Sequence, residues 1–148
     1  MGSKGRITAA CISRQKGEQK RPIEGARLAE DHGIEGDAHA GTGRQVSLLC
    51  RASVEKLDAE DLEIGPGDFA ENLLVDGLKA EDFQVGTRFT IGGPDAALLE
   101  VTQIGKKCHE DCVIRRLTGD CVMPREGIFA RVLRGGEVKA GDVVEIQN

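Results

Sequence analysis

Apolar and polar residues alternate with a period of two over several short stretches of this chain, and the helical period surfaces only briefly. Residues 6–13 place Ile7, Ala9 and Cys11 on one side, which predicts a first strand with Cys11 as a small buried hydrophobe. Residues 16–21 are polar and charged and read as a loop. Residues 25–32 predict a second short strand that Gly33 breaks. Residues 45–50 read as a buried strand carrying Gln45 and Ser47 on one side, and 51–57 as a short helix with Val54 and Leu57 three apart. The Gly65-Pro66-Gly67 turn closes that excursion. Residues 69–75 predict a strand interrupted by Glu71 and Asn72, a polar pair that needs partners or a ligand in so apolar a run. Residues 97–104 form the most strand-like run of all. Residues 128–134 alternate as a strand, although Ile128, Val132 and Leu133 also make a helical stripe.

Two segments echo each other. Residues 83–91 and 138–146 each set a glycine turn before an alternating strand, which suggests two similar strand entries into one barrel. With 20 glycines against 4 prolines, many tight turns are expected, and the fold class is mostly β: a barrel of short strands with one to three short helices. At 148 residues, 1–148 is expected to be a single domain, large enough for a core without staples.

The remaining totals narrow the function. A net charge of -5 provides no basic stripe to neutralise phosphates, so a general nucleic-acid binder is not expected. The chain has no Trp or Tyr and only 4 Phe, which leaves little for base stacking. No apolar run is long enough to span a membrane and the N-terminus lacks a signal-peptide core, so a cytoplasmic protein is expected. In that compartment its 5 cysteines should be thiols, and clustered ones suggest metal, sulfur or redox chemistry.

Three of them, Cys108, Cys112 and Cys121, fall with His109 just beyond the 97–104 strand. Asp111 is a good N-cap, which predicts a short helix from Cys112 to Leu117 with Gly119 as its stop. A thiol at that N-terminus gains about 0.3–1 kcal/mol from the helix dipole. Lys106, Lys107, Arg115 and Arg116 add to this, while Glu110 and Asp111 oppose it. Such a thiolate can accept sulfur, attack an electrophile or bind a soft metal. The competing reading is a structural zinc site of Cys108, His109, Cys112 and Cys121 in a non-catalytic module. Residues 33–44 hold four glycines with Asp37, His39 and Arg44. Loop amides can form an anion-binding nest there, with Arg44 clamping a phosphate, or the stretch is an ordinary turn between strands. His39 has no second metal ligand at a suitable offset.

Taken in order, Gly33-x-x-Gly36-Asp37-x-His39, residues 44–49, Phe69-x-Glu71-Asn72-Leu73, the cysteine stretch, and residues 127–132 before Gly141-Asp142 resemble the MOSC domain, named for the C-terminal domain of molybdenum-cofactor sulfurases. The resemblance covers essentially the whole chain, as a stand-alone member. It implies a closed or partly closed barrel of the MOSC, pyruvate-kinase-barrel-like kind and a role in handling sulfur or the molybdenum cofactor (molybdopterin). It also implies a working thiol at Cys112, as sulfur carrier or molybdenum ligand, with Cys108 and Cys121 as neighbouring candidates. Arg44, Gln45, Ser47 and Asn72 would line the anion and pterin site, with His39 beside them and Arg131 as a second cation. The partners implied are molybdenum-cofactor biosynthesis proteins or a sulfur donor of the cysteine-desulfurase type, within pyridoxal-phosphate-linked sulfur transfer. Both sulfur transfer and a purely carrier role are open on this reading.

Overall fold

The computed structural model describes residues 3–15, 19–55, 67, 71–93, 96–105 and 127–147. Its frame is a closed barrel. The strands are β1 (Lys4–Ile12), β2 (Arg21–Ile23), β3 (Ala26–Ala29), β4 (Gly33–Ile34), β5 (Val46–Cys50), β6 (Leu73–Asp76), β7 (Arg88–Ile91), β8 (Ala97–Ile104), β9 (Ile128–Arg134), β10 (Gly136–Val138) and β11 (Val143–Ile146). A short helix α1 (Arg51–Glu55) follows β5, and a 3-10 turn (Ala80–Asp82) precedes β7. Hydrogen bonding runs β11-β7-β8-β9-β5-β6-β1 and returns to the start through a β11–β1 pairing, with β2 extending from β1. Closure leaves these seven strands without an unpaired edge in the ring. A separate three-stranded sheet, β10-β3-β4, packs beside it.

The alternation accounts for the interior. Val46, Leu48, Leu73, Val75, Ile128 and Ala130 are buried in the barrel core, while the residues between them point outward. The echoing segments become neighbours: β7 and β11 pair antiparallel with Ile91 opposite Val144, each entered through a glycine at φ 95° (Gly86 and Gly141). Residues 128–134 are a strand, since every second residue faces the core and the run is paired on both sides.

Four expectations shift. The bulge in β1 between Ile7 and Ala9 turns Ala10 into the core, so Cys11 is buried as expected but on the face opposite Ile7. Of the strand expected over 69–75, residues 69 and 70 lie outside the described residues, and Glu71 and Asn72 stand outside β6, which starts at Leu73, because Asn72 uses its backbone and side chain to brace three strands. The run 25–32 becomes the shorter β3 and then a turn in which Asp31 takes φ 50°. Gly33 does not end the pattern but pairs with Ala29 in β4.

Candidate functional site

The glycine loop is held from below by a lysine. Lys20 lies in the run read as a polar, charged loop, and its side chain is fully buried. Its ammonium donates to Asp37 Oδ1 at 2.8 Å and to Ser13 Oγ at 3.0 Å, and it lies 3.2 Å from His39 Nδ1. Asp37 also accepts the amides of Ser13 (3.0 Å, at Oδ1) and His39 (3.0 Å, at Oδ2). Burial pushes the Asp37 carboxyl up. The Lys20 hydrogen bond and charge, together with the two amides, outweigh that and hold it below the usual carboxylate range. One ion pair thereby ties the end of β1, the segment before β2 and the loop after β4.

That loop is not an open nest over residues 37–42. The amides of Asp37, Ala38, Ala40, Gly41 and Thr42 donate to Ile34, Ser13, Asp37, His32 and His39 carbonyls respectively, and the His39 amide goes to Asp37. Arg44 donates its amide to Thr42 Oγ1. Recognition of an anion here therefore falls to side chains.

Gln45, Ser47 and Asn72 sit where strands meet. Gln45 Oε1 accepts the amide of Val132 and Nε2 donates to Asp31 Oδ1, while the Asp31 amide donates to the Val132 carbonyl, so the loop is clipped to β9. Asn72 Oδ1 accepts the Ser47 amide at 2.9 Å and its Nδ2 donates to the Cys11 carbonyl at 3.0 Å. The Asn72 amide donates in turn to Ser47 Oγ at 3.0 Å, which locks β1, β6 and β5 together. Glu71, also buried, accepts the Gly67 amide at 3.0 Å.

Arg44 and Arg131 remain exposed on the outside of the barrel. The Arg44 guanidinium lies over the Phe129 ring, 5.6 Å from its centre. Phe129 follows by two residues the point where the Gly105 amide donates to the Gly127 carbonyl at 2.7 Å, the neck of the stretch that carries Cys108, Cys112 and Cys121. Gln103, opposite Phe129 on β8, donates to the Gly105 carbonyl at 2.7 Å and steadies the same neck. Arg131 alternates onto the outer face with Phe129 and pairs with Glu100 at 3.0 Å. Glu100 also pairs with Arg88, and hydrogen bonds from Arg88 and then Arg131 hold its carboxyl below the usual range.

Cys108, His109, Cys112 and Cys121, whether as thiol or as zinc site, lie outside the described residues, as does the helix expected from Cys112. The structure brings His39, Asp37 and Lys20 into one cluster and sets Arg44 over Phe129. Lys20, Ser13, Gln103 and Phe129 escaped the sequence reading. The only signal for Lys20 was that a buried Asp after a glycine turn needs a cation.

The family model of the MOSC domain matches residues 35–145. Among solved structures, the YuaD protein from Bacillus subtilis superposes with a TM-score of 0.79 at 18% identity, covering 99% of this chain and 97% of that one. YiiM from Geobacillus stearothermophilus gives a TM-score of 0.70 at 18% identity, over 97% of this chain and 75% of that one. YiiM from Escherichia coli gives 0.65 at 21% identity, over 97% and 70%. No curated protein matches in sequence.

Proposed function

The chain belongs to the MOSC domain family, and from that premise we propose that it is a molybdenum-cofactor-linked protein in which Cys112 carries sulfur or ligates molybdenum while Arg44 receives the phosphate end of the pterin. The observation that carries the reading is the seat of Arg44. Its guanidinium is stacked on Phe129, two residues along the chain from Gly127, whose carbonyl accepts the Gly105 amide at the ends of the segment that carries the three cysteines. Stacking restricts a long side chain before any ligand arrives and leaves its planar fork of donors for an oxyanion.

The described residues fit an anionic cofactor in charge but divide the labour unevenly. Arg44 is exposed, and Arg131 stands one pleat further on with Glu100 as its present partner. Gln45, Ser47 and Asn72 bond to neighbouring strands, so their contribution is to hold the wall against which a ligand rests. His39 faces the loop from its Lys20 anchor. When bound, the cofactor supplies a metal that accepts a thiolate ligand. Sulfur would reach Cys112 from a donor of the cysteine-desulfurase type, and the sequence alternatives Cys108 and Cys121 are tested with it.

Purification from a host that makes the cofactor, under anaerobic handling, should yield molybdenum and pterin in near-equal amounts, or a persulfide mass on Cys112. Arg44→Ala should lose pterin while retaining its fold by circular dichroism. Absence of molybdenum, pterin and bound sulfur even after addition of cofactor would defeat the proposal, and one tight zinc per chain in their place would favour a structural metal module.

A further inference from the structure

We infer that Glu100 sets the specificity of the Arg44 site: by holding Arg131 across toward β8 it keeps a second guanidinium from the ligand, so the group accepted is a single phosphate monoester and not a diphosphate. The inference rests on the reading of Arg44 as the phosphate clamp given above.

The row responsible lies on the outer face of the barrel. Strand register sets Glu100 of β8 between Arg88 of β7 and Arg131 of β9. Side chains directly opposite on one face of a sheet are neighbours. Each carboxylate oxygen takes one arginine, Oε2 the Nε of Arg88 at 3.0 Å and Oε1 the Nη2 of Arg131 at 3.0 Å. Hydrogen bonds from Arg88 and then Arg131 hold the carboxyl below its usual range, so it stays ionised near neutral pH. Both arginines are exposed, and ion pairs open to water add little stability. What the row fixes is the place of the charge.

Strand order turns that placement into a selection. β9 lies between β8 and β5, so Glu100 draws Arg131 to one side of β9, while Arg44, which leads into β5, approaches from the other. Arg44 sits over Phe129, two residues before Arg131 on the same outward face and roughly 7 Å from it along the strand. On the β8 side of Phe129, Gln103 is committed to the Gly105 carbonyl. Among the described residues Arg44 has no carboxylate partner, whereas Arg131 has Glu100. One guanidinium fork matches one phosphate group through paired N–H donors. A diphosphate carries its charge on two adjacent phosphoryl groups, and the second would have to take Arg131 from Glu100.

Inorganic phosphate and inorganic pyrophosphate stand in for the two ligand classes, titrated into the full chain without divalent metal and at fixed ionic strength. Phosphate should bind through Arg44, with Arg44→Ala weakening it about tenfold. Glu100→Gln keeps the shape of the side chain and should strengthen pyrophosphate about tenfold or more, while phosphate changes about threefold or less. Glu100→Gln with Arg131→Ala has the natural net charge, and the gain should vanish. With Arg88→Ala instead, the gain should persist, because Arg88 stands a strand further from Arg44. A ratio of affinities that Glu100→Gln does not move, or a gain that survives Arg131→Ala, overturns the inference and leaves the Arg44 clamp standing. Phosphate binding indifferent to Arg44→Ala overturns both. Absence of molybdenum, pterin and bound sulfur from a protein that shows the expected affinities strikes only at the proposed function.

Discussion

The Lys20 ammonium and the Asp37 carboxylate meet at 2.8 Å with neither side chain reaching solvent. A buried pair of this kind is weak evidence of added stability, but removing one member leaves an uncompensated charge in a medium that solvates it poorly. Lys20→Met should therefore destabilise the domain by about 3–5 kcal/mol, whereas Lys20→Met with Asp37→Asn, which removes the charge and keeps an acceptor for the Ser13 amide, should recover part of that loss. Urea unfolding of the three proteins checks it, and a single variant as stable as the parent would show that water reaches Asp37.

The same carboxylate sets an acid limit. Asp37 in the folded protein titrates below its ordinary value of 3.8. In the window between the two values the unfolded chain binds the extra proton, so stability falls as pH falls. The contribution of Asp37 is fully present above the ordinary carboxylate range and is lost as pH drops through the folded value. The gap in unfolding free energy between the natural protein and Asp37→Asn should accordingly narrow from pH 5 toward pH 2. A gap that stays constant over that range would contradict the assignment.

Two glycines of one motif should respond differently to the same methyl group. Gly36 takes φ 88°, but a Cβ there meets nothing closer than Ile12 Cδ1 at 3.9 Å, so Gly36→Ala should cost only the strain of a left-handed residue, about 1–2 kcal/mol. Gly33 takes φ 126° and its Cβ would lie 2.6 Å from the Gln45 carbonyl oxygen. Gly33→Ala must push β4 away from the residue that clips the loop to β9, and its loss should exceed that of Gly36→Ala. Thermal unfolding of both variants gives the order.

These details mark what could be read in advance. The strands were legible because a half-buried strand shows its two faces as an alternation, and the two glycine-turn entries were legible because they share one local pattern. Lys20 was not. A lysine among charged residues looks solvated, and its burial depends on partners 7 and 17 residues away. Ser47 and Asn72 were visible as polar residues in apolar strands, but a separation of 25 residues hid that they bond to each other. Sequence marks a group that needs a partner; only the closed barrel shows whether that partner is protein.

Reactivity should divide the cysteines into two classes. Cys11 and Cys50 are reduced and fully buried, Cys50 in the barrel core and Cys11 beneath the Asn72 bridge. A thiolate must reach its electrophile, so neither should react before the strands separate. Brief alkylation of the native protein near neutral pH should leave both unmodified, while the urea-unfolded chain takes up label at all 5. Cys112, the position to which the family resemblance assigns the working thiol, should be labelled ahead of Cys108 and Cys121. Cys112→Ser should then lose bound sulfur or cofactor with no change in unfolding midpoint. Faster labelling of Cys108 or Cys121, in a Cys112→Ser protein that still carries sulfur or cofactor, would move the function to another thiol. Early labelling of Cys11 would mean that the Ser47–Asn72–Cys11 junction opens in the native state.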